Sequence, residues 1–141
     1  METPRAVELA LRVVAAAGLL VDAYVHFDLA AGYDRNAAVI SQGVLFRVEG
    51  ALAVVAALLV LFLRSRIAAL VAFLVGAGGV VLVVIYRYVN IGVLGPLPNM
   101  YEPSWYPEKT LSTVGEALTA VASLFLLLVY RRKRDSGVAT G

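Results

Sequence analysis

Four apolar stretches, each about as long as a bilayer is thick, leave this chain few folds to choose from. They cover residues 6–30, 40–63, 67–89 and 108–130. A helix needs ~20 apolar residues to cross ~30 Å of hydrocarbon, and each stretch meets that length. In hydrocarbon every backbone donor has to be satisfied inside the structure, which leaves helices or closed barrels. Runs such as Ala53 to Leu63 lack the period-two alternation of a barrel strand. The sequence therefore predicts an all-α fold: a membrane-embedded antiparallel four-helix bundle, one domain over residues 1–141, with one sizeable loop at 90–107. The first stretch opens on Arg5 as a signal peptide would. Glu8, Arg12 and Asp22 interrupt it, however, and no small-x-small cleavage site follows. It is expected to remain as a helix.

Positive charge sets the orientation. Arg5 and Arg12 lie at the N-terminal end, Arg64 and Arg66 in the turn between the second and third stretches, and Arg131, Arg132, Lys133 and Arg134 after the fourth. The 90–107 connection carries Glu102 and no Lys or Arg. By the positive-inside rule both termini are cytoplasmic, and the 31–39 and 90–107 connections face outside. The expected location is the plasma membrane, as a multi-pass protein. The net charge of +2 follows from this placement and implies no nucleic-acid partner. Cysteine is absent, which excludes disulfides, thiolate metal sites and CxxC redox chemistry. Arginine outnumbers lysine and Ala and Val dominate the apolar set, a bias that suggests a GC-rich bacterial source.

The ionisable residues inside the stretches fall toward one side. Asp22, His26, Arg47, Glu49, Arg87 and Glu116 all sit near ends expected to face outward. Each costs roughly 2.5–3.5 kcal/mol at a helix centre unless paired or hydrated. On the first helix Asp22 and His26 are an i, i+4 pair, and so are Glu8 and Arg12 at the other end. Arg47 and Glu49 project about 160° apart, so only one of them can face the centre. Gly76, Gly79, Val83, Arg87 and Asn90 share a face of the third helix. The glycines mark that face as buried, so Arg87 is expected inside, against Asp22 or Glu116. Ser112, Glu116, Thr119 and Ser123 form a polar stripe on the fourth. In the loop, Pro96, Pro98, Pro103 and Pro107 suppress a helix. Tyr101, Trp105 and Tyr106 are either an aromatic belt at the interface or a lid over the bundle mouth.

Several uses fit these residues. In the leading one, buried ion pairs hold and orient a small bundle that is structural or accessory to a larger membrane complex, or a homo-oligomer. The second is a pocket, as in a membrane enzyme or binding protein, for a quinone-like or other lipid-soluble ligand. There His26 beside Asp22 exchanges protons, Glu116 is a carboxylic acid, and Arg47 or Arg87 holds an oxygen. The third is a small proton-coupled transporter. One imidazole and three carboxylates would suit a hard or borderline cation, but the Glu-x-x-His pairs of di-iron bundles are absent, and no metal site is expected. A single histidine disfavours haem.

The segment Tyr24-Val-His-Phe-Asp-Leu-Ala-Ala-Gly-Tyr33, with a charged start to the second helix and a Gly-rich third, resembles uncharacterised four-helix membrane proteins of actinobacteria. It is loosely similar to the DoxX-like group. For some of that group a quinone-linked redox role is implied. The 101–109 segment has no counterpart in that resemblance, which carries over no functional residue.

Overall fold

Long apolar runs bounded by hydroxyl caps and prolines fold here into four helices. The computed structural model describes residues 3–139. Helix α1 covers Arg5–Ala30 and ends in a 3-10 turn at Ala31–Tyr33; α2 covers Gln42–Phe62, α3 Arg66–Tyr88 and α4 Pro107–Ala139. No strand forms among the described residues. Ser41 caps α2 by accepting from the Val44 N–H, and Ser65 caps α3 by accepting from Ala68, both at 3.0 Å. Such caps satisfy donors that the first helical turn leaves open. Pro107 opens α4, where its missing N–H costs nothing.

The helices match the expected stretches within a few residues, except that α4 continues well past 130. Its 33 residues span about 50 Å at 1.5 Å each. The basic run Arg131–Arg134 therefore lies on the helix and not beyond it. Arg and Lys are good helix formers, and adding turns to an existing helix is cheap. Lys133 ties the extension back to α1 through Glu8 at 2.7 Å.

The four helices form an antiparallel bundle. Helix α1 lies between α2 and α4, and α3 lies between α4 and α2. The α2–α3 seam is the loosest of these, and α1 and α3 barely meet across the diagonal. The closest crossing joins α1 to α4 at Gly18 and Gly115. A Cβ on Gly18 would strike the Gly115 carbonyl and the Thr119 hydroxyl, and one on Gly115 would stand 2.7 Å from the Gly18 carbonyl oxygen. Thr119 Oγ1 donates across this crossing to the Ala15 carbonyl at 2.9 Å. Below it, Leu19 and Leu126 are fully buried among alanines.

The surface is apolar. Leu52, Leu74, Val81 and Leu128 face out from the helices, whereas Glu8, Asp22, Glu116, Thr119 and Ser123 are buried. Helices α2, α3 and α4 are long and apolar enough to cross a membrane. Helix α1 has the length but is not among them; the sequence reading expected four such helices. Its Glu8 and Asp22 point inward while Arg5 and Asp28 are exposed, and its outer face carries Val7, Val13, Leu20 and Phe27.

The α1–α4 crossing generates a direct test. Gly18→Leu should wedge these helices apart and destabilise the detergent-solubilised protein by about 1–3 kcal/mol, the usual range for overpacking. A thermal melt followed by Trp105 fluorescence reads the loss. An unchanged midpoint would mean that the helices do not cross closely there.

Candidate functional site

Two buried polar clusters sit at opposite ends of α1. At the end that holds the termini, the Glu8 carboxylate accepts from Arg64 Nε at 2.8 Å and Arg64 Nη2 at 2.9 Å. It also accepts from the Tyr130 hydroxyl at 3.2 Å and Lys133 Nζ at 2.7 Å. Sequence spacing paired Glu8 with Arg12. Instead Arg12 donates to the Val60 and Leu61 carbonyls, closing the end of α2. Partners 56 and 125 residues away in sequence outcompete an i, i+4 neighbour because they converge on the carboxylate from two other elements.

The second cluster lies toward the loop end. Asp22 is fully buried and Glu116 nearly so. The Ser112 hydroxyl bridges them, 2.7 Å from Asp22 Oδ1 and 3.2 Å from Glu116 Oε1. The His26 ring brings Nδ1 to 2.9 Å from Asp22 Oδ1, and to the same distance from the Asp22 carbonyl. Phe46 holds the ring edge-on, with centroids 5.0 Å apart. Glu49 comes in from α2, close enough to interact directly with the Asp22 carboxyl, as Glu116 does from α4. Gly79 of α3 makes room for the Glu116 head; a Cβ there would collide with that carboxyl.

The expected arginines are missing from this cluster. Arg47 points away and forms an exposed two-pronged pair with Asp34, at 2.6 and 3.1 Å. That guanidinium holds the Asp34 carboxyl below the usual carboxylate range. Arg87 makes no ion pair with Asp22 or Glu116. Its guanidinium stacks 4.8 Å from the Tyr88 ring centroid, with Nε buried and unpartnered. A long side chain near a helix end reaches the boundary more readily than the centre, and Arg47 does so, whereas Arg87 stays half buried. The expected balance of three carboxylates by two arginines and a histidine therefore fails. Asp22, Glu49 and Glu116 face His26 alone. One oxygen on each of the three carboxylates is buried without a partner: Asp22 Oδ2, Glu49 Oε1 and Glu116 Oε2.

A cavity of about 360 Å³ opens onto this cluster, within the usual size of small-molecule pockets. His26, Glu49, Ser112 and Glu116 form its polar end. Leu45, Leu52, Leu82 and Val83 form its apolar walls along the α2–α3 seam. Leu52 and Leu82 are also half exposed on the bundle surface.

The loop covers the cavity, though with different residues from those the composition suggested. Leu97, Met100, Glu102 and Tyr106 line it, whereas Tyr101 and Trp105 do not. Tyr101 is exposed, and Trp105 packs outside, 5.3 Å from Lys109 Nζ. The Tyr106 and Tyr33 hydroxyls meet at 3.0 Å, and Tyr33 donates to Glu102 at 3.1 Å. Burial, then the Tyr33 hydroxyl beside it, raises the Tyr106 pKa well above its ordinary value. Burial does the same to Tyr33, so both stay protonated donors.

Lys109 was missed by sequence reasoning. It is buried, lines the cavity, and donates to the Glu102 and Ser104 carbonyls at 2.8 and 3.0 Å. It thereby anchors the loop and leaves the carboxylates unneutralised. The signal was present: Lys109 extends the Ser112–Glu116–Thr119–Ser123 stripe by one further step of three.

Asp22, His26 and Glu116 each offer one donor atom, all within 4.8 Å of one another, which is a geometry that a metal ion can bridge. No family model, no curated protein and no solved structure matches this chain.

The contrast between paired charges is measurable. Glu8→Ala removes a buried acceptor of four charge-assisted or hydroxyl bonds and should cost about 2 kcal/mol or more. Arg47→Ala breaks an exposed pair and should cost about 1 kcal/mol or less. Thermal melts of the two variants side by side check this; equal losses would show that the Glu8 cluster is no latch.

Proposed function

We propose that this is an integral membrane protein that binds a small lipid-soluble molecule in the cavity beside Asp22, His26, Glu49 and Glu116. The observation that carries the proposal is the shape of that cavity. It has an acidic end inside the bundle and apolar walls that continue to the surface at the loosest seam, between α2 and α3. In a bilayer that seam faces the acyl chains, so a hydrophobic molecule can enter sideways without crossing water. The apolar outer faces of all four helices support the membrane setting. A water-soluble protein would not bury its glutamates and expose its leucines.

The wall chemistry selects the head group. The buried end offers carboxylate acceptors and no arginine, so a hydroxyl or ammonium head suits it better than an anion. A quinone carbonyl would need a donor from Tyr106, Lys109 or a protonated carboxyl. In the hydroxyl case the head donates its one hydrogen bond to an unpartnered oxygen of Glu49 or Glu116. Tyr106 and the 97–102 segment close over it from the loop end.

In this reading the chain is a multi-pass plasma-membrane protein with both termini cytoplasmic and the 90–106 loop outside. The positive-inside rule supports that orientation. The transporter reading is weaker, because fully buried Leu19, Val60 and Leu126 fill the bundle interior. The accessory-subunit reading draws on the apolar outer surface, which other helices could cover. It does not account for an open cavity lined by unpartnered carboxylates.

Two experiments test the proposal. For orientation, the cysteine-free chain accepts single labels. Ser104→Cys in intact cells should react with an impermeant maleimide, and Asp135→Cys only after lysis; the reverse pattern overturns the topology. For binding, protein in nanodiscs should carry a co-purifying small molecule in native mass spectrometry. Leu52→Trp, which fills the seam, should reduce its occupancy at least ~10-fold, a 1.4 kcal/mol effect. Arg47→Ala should leave occupancy unchanged. Equal occupancy in the Leu52→Trp variant overturns entry and binding at this cavity.

A further inference from the structure

The three carboxylates around His26 have an unmet electrostatic requirement, and we infer that Asp22, His26 and Glu116 form the binding site of one divalent transition-metal cation, with Glu49 as a further carboxylate ligand. The inference deepens the proposed function, because the cavity provides the access route and the metal would lie at its acidic end.

Three independent features point the same way. The first is donor geometry. Ligand atoms of Asp22, His26 and Glu116 lie within 4.8 Å of one another. A zinc-like ion sits about 2.0–2.2 Å from N and O donors, so opposite donors are at most ~4.4 Å apart. In a four-coordinate shell the donors stand about 3.4 Å apart, so the side chains draw together to close it.

The second is the way the carboxylates are held. Ser112 occupies one oxygen of each, Asp22 Oδ1 and Glu116 Oε1. Oδ2 and Oε2 are left buried and without a hydrogen-bond partner, and so is Oε1 of Glu49. An ionised carboxylate oxygen kept from water without a donor is costly. Three of them together need shared protons or a cation among them. Ser112 would then orient the ligands from behind, as outer-shell partners of metal ligands do.

The third is that no Lys or Arg among the described residues pairs with these carboxylates. Arg47 is committed to Asp34, Arg87 forms no ion pair with the cluster, and Lys109 is spent on two loop carbonyls. The donor set also selects the metal. One imidazole with carboxylates suits Mn²⁺, Fe²⁺ or Zn²⁺, whereas Mg²⁺ and Ca²⁺ prefer oxygen alone.

The chain has one histidine, which makes the decisive measurement possible on the unmutated protein. Tag-free protein, stripped with chelator and titrated with Mn²⁺, should bind one equivalent saturably by electron paramagnetic resonance. The bound ion should show nitrogen modulation from an imidazole, which can come only from His26. Glu116→Gln and His26→Gln should each weaken binding at least ~10-fold, and Ser112→Ala roughly 10–100-fold, the usual effect of an outer-shell partner. Size-exclusion profile and circular dichroism screen each variant for folding. Bound Mn²⁺ without nitrogen modulation, no saturable binding, or equal affinity in folded Glu116→Gln overturns the site. Loss of the co-purifying ligand with metal binding intact would instead sink only the lipid-soluble-ligand reading, so the two failures are distinguishable.

Discussion

The close crossing of α1 and α4 at Gly18 and Gly115 decides where everything else in the bundle goes. Two helices that touch backbone to backbone bring their next inward residues into direct contact. One turn along from Gly18 is Asp22; one residue past Gly115 is Glu116, and Ser112 lies three before. The Asp22–Ser112 hydrogen bond at 2.7 Å is thus a consequence of that approach. Any larger residue at the crossing would separate the carboxylates before it disturbed any apolar layer. Small residues at such contacts are the usual means of packing helices where lipid offers no hydrophobic drive.

The opposite side of the bundle shows the complementary effect. Helices α2 and α3 are joined by a turn of only three residues, Leu63–Ser65, yet they make the loosest seam of the four. Their ends near the turn are held by Arg12 and Arg64, which bind the α2 carbonyls and Glu8. Toward the loop end nothing comparable draws them together, and the cavity occupies that space. Tight packing on one side of the bundle and slack on the opposite side place an acidic cluster next to an opening. Neither feature alone would make a site.

The sequence made the helices legible and left the pairing of their charges obscure. Apolar run length located α1 to α3 within a few residues, because it is a local property. The faces of Asp22, His26 and Glu116 were readable from a 100° rotation per residue, as was the stripe on α4. The arginines misled. Their long side chains uncouple the charged head from the helix face that carries it, so a shared face did not mean an ion pair with Asp22 or Glu116. Arg47 found Asp34 in the connection, which helix geometry alone does not bring to mind. Glu8 met Arg64 and Lys133 from other elements, and Lys109 turned back to its own loop. The lid was half legible: proline and aromatic content marked the segment, but Leu97 and Met100, not Tyr101 and Trp105, face the cavity.

Helix α1 contains its own comparison between structural and functional uses of a buried carboxylate. Glu8 and Asp22 sit at opposite ends of one helix, and both are buried. Glu8 is met by a guanidinium, an ammonium and a phenol, and both its oxygens are partnered. That is how a bundle satisfies a charge whose purpose is to hold helices together. Asp22 is met by one hydroxyl and one imidazole, next to two further carboxyls, and one of its oxygens has nothing. The same chain, with ten arginines available, neutralises one end and leaves the other acidic. If both clusters served only as glue, the second would be the weaker design at a greater burial cost. Its deficit of positive charge is intelligible when a cation or a hydrogen-bond-donating ligand completes it. The open cavity at that end, and a dry apolar layer between the two clusters, favour that reading over a purely structural one.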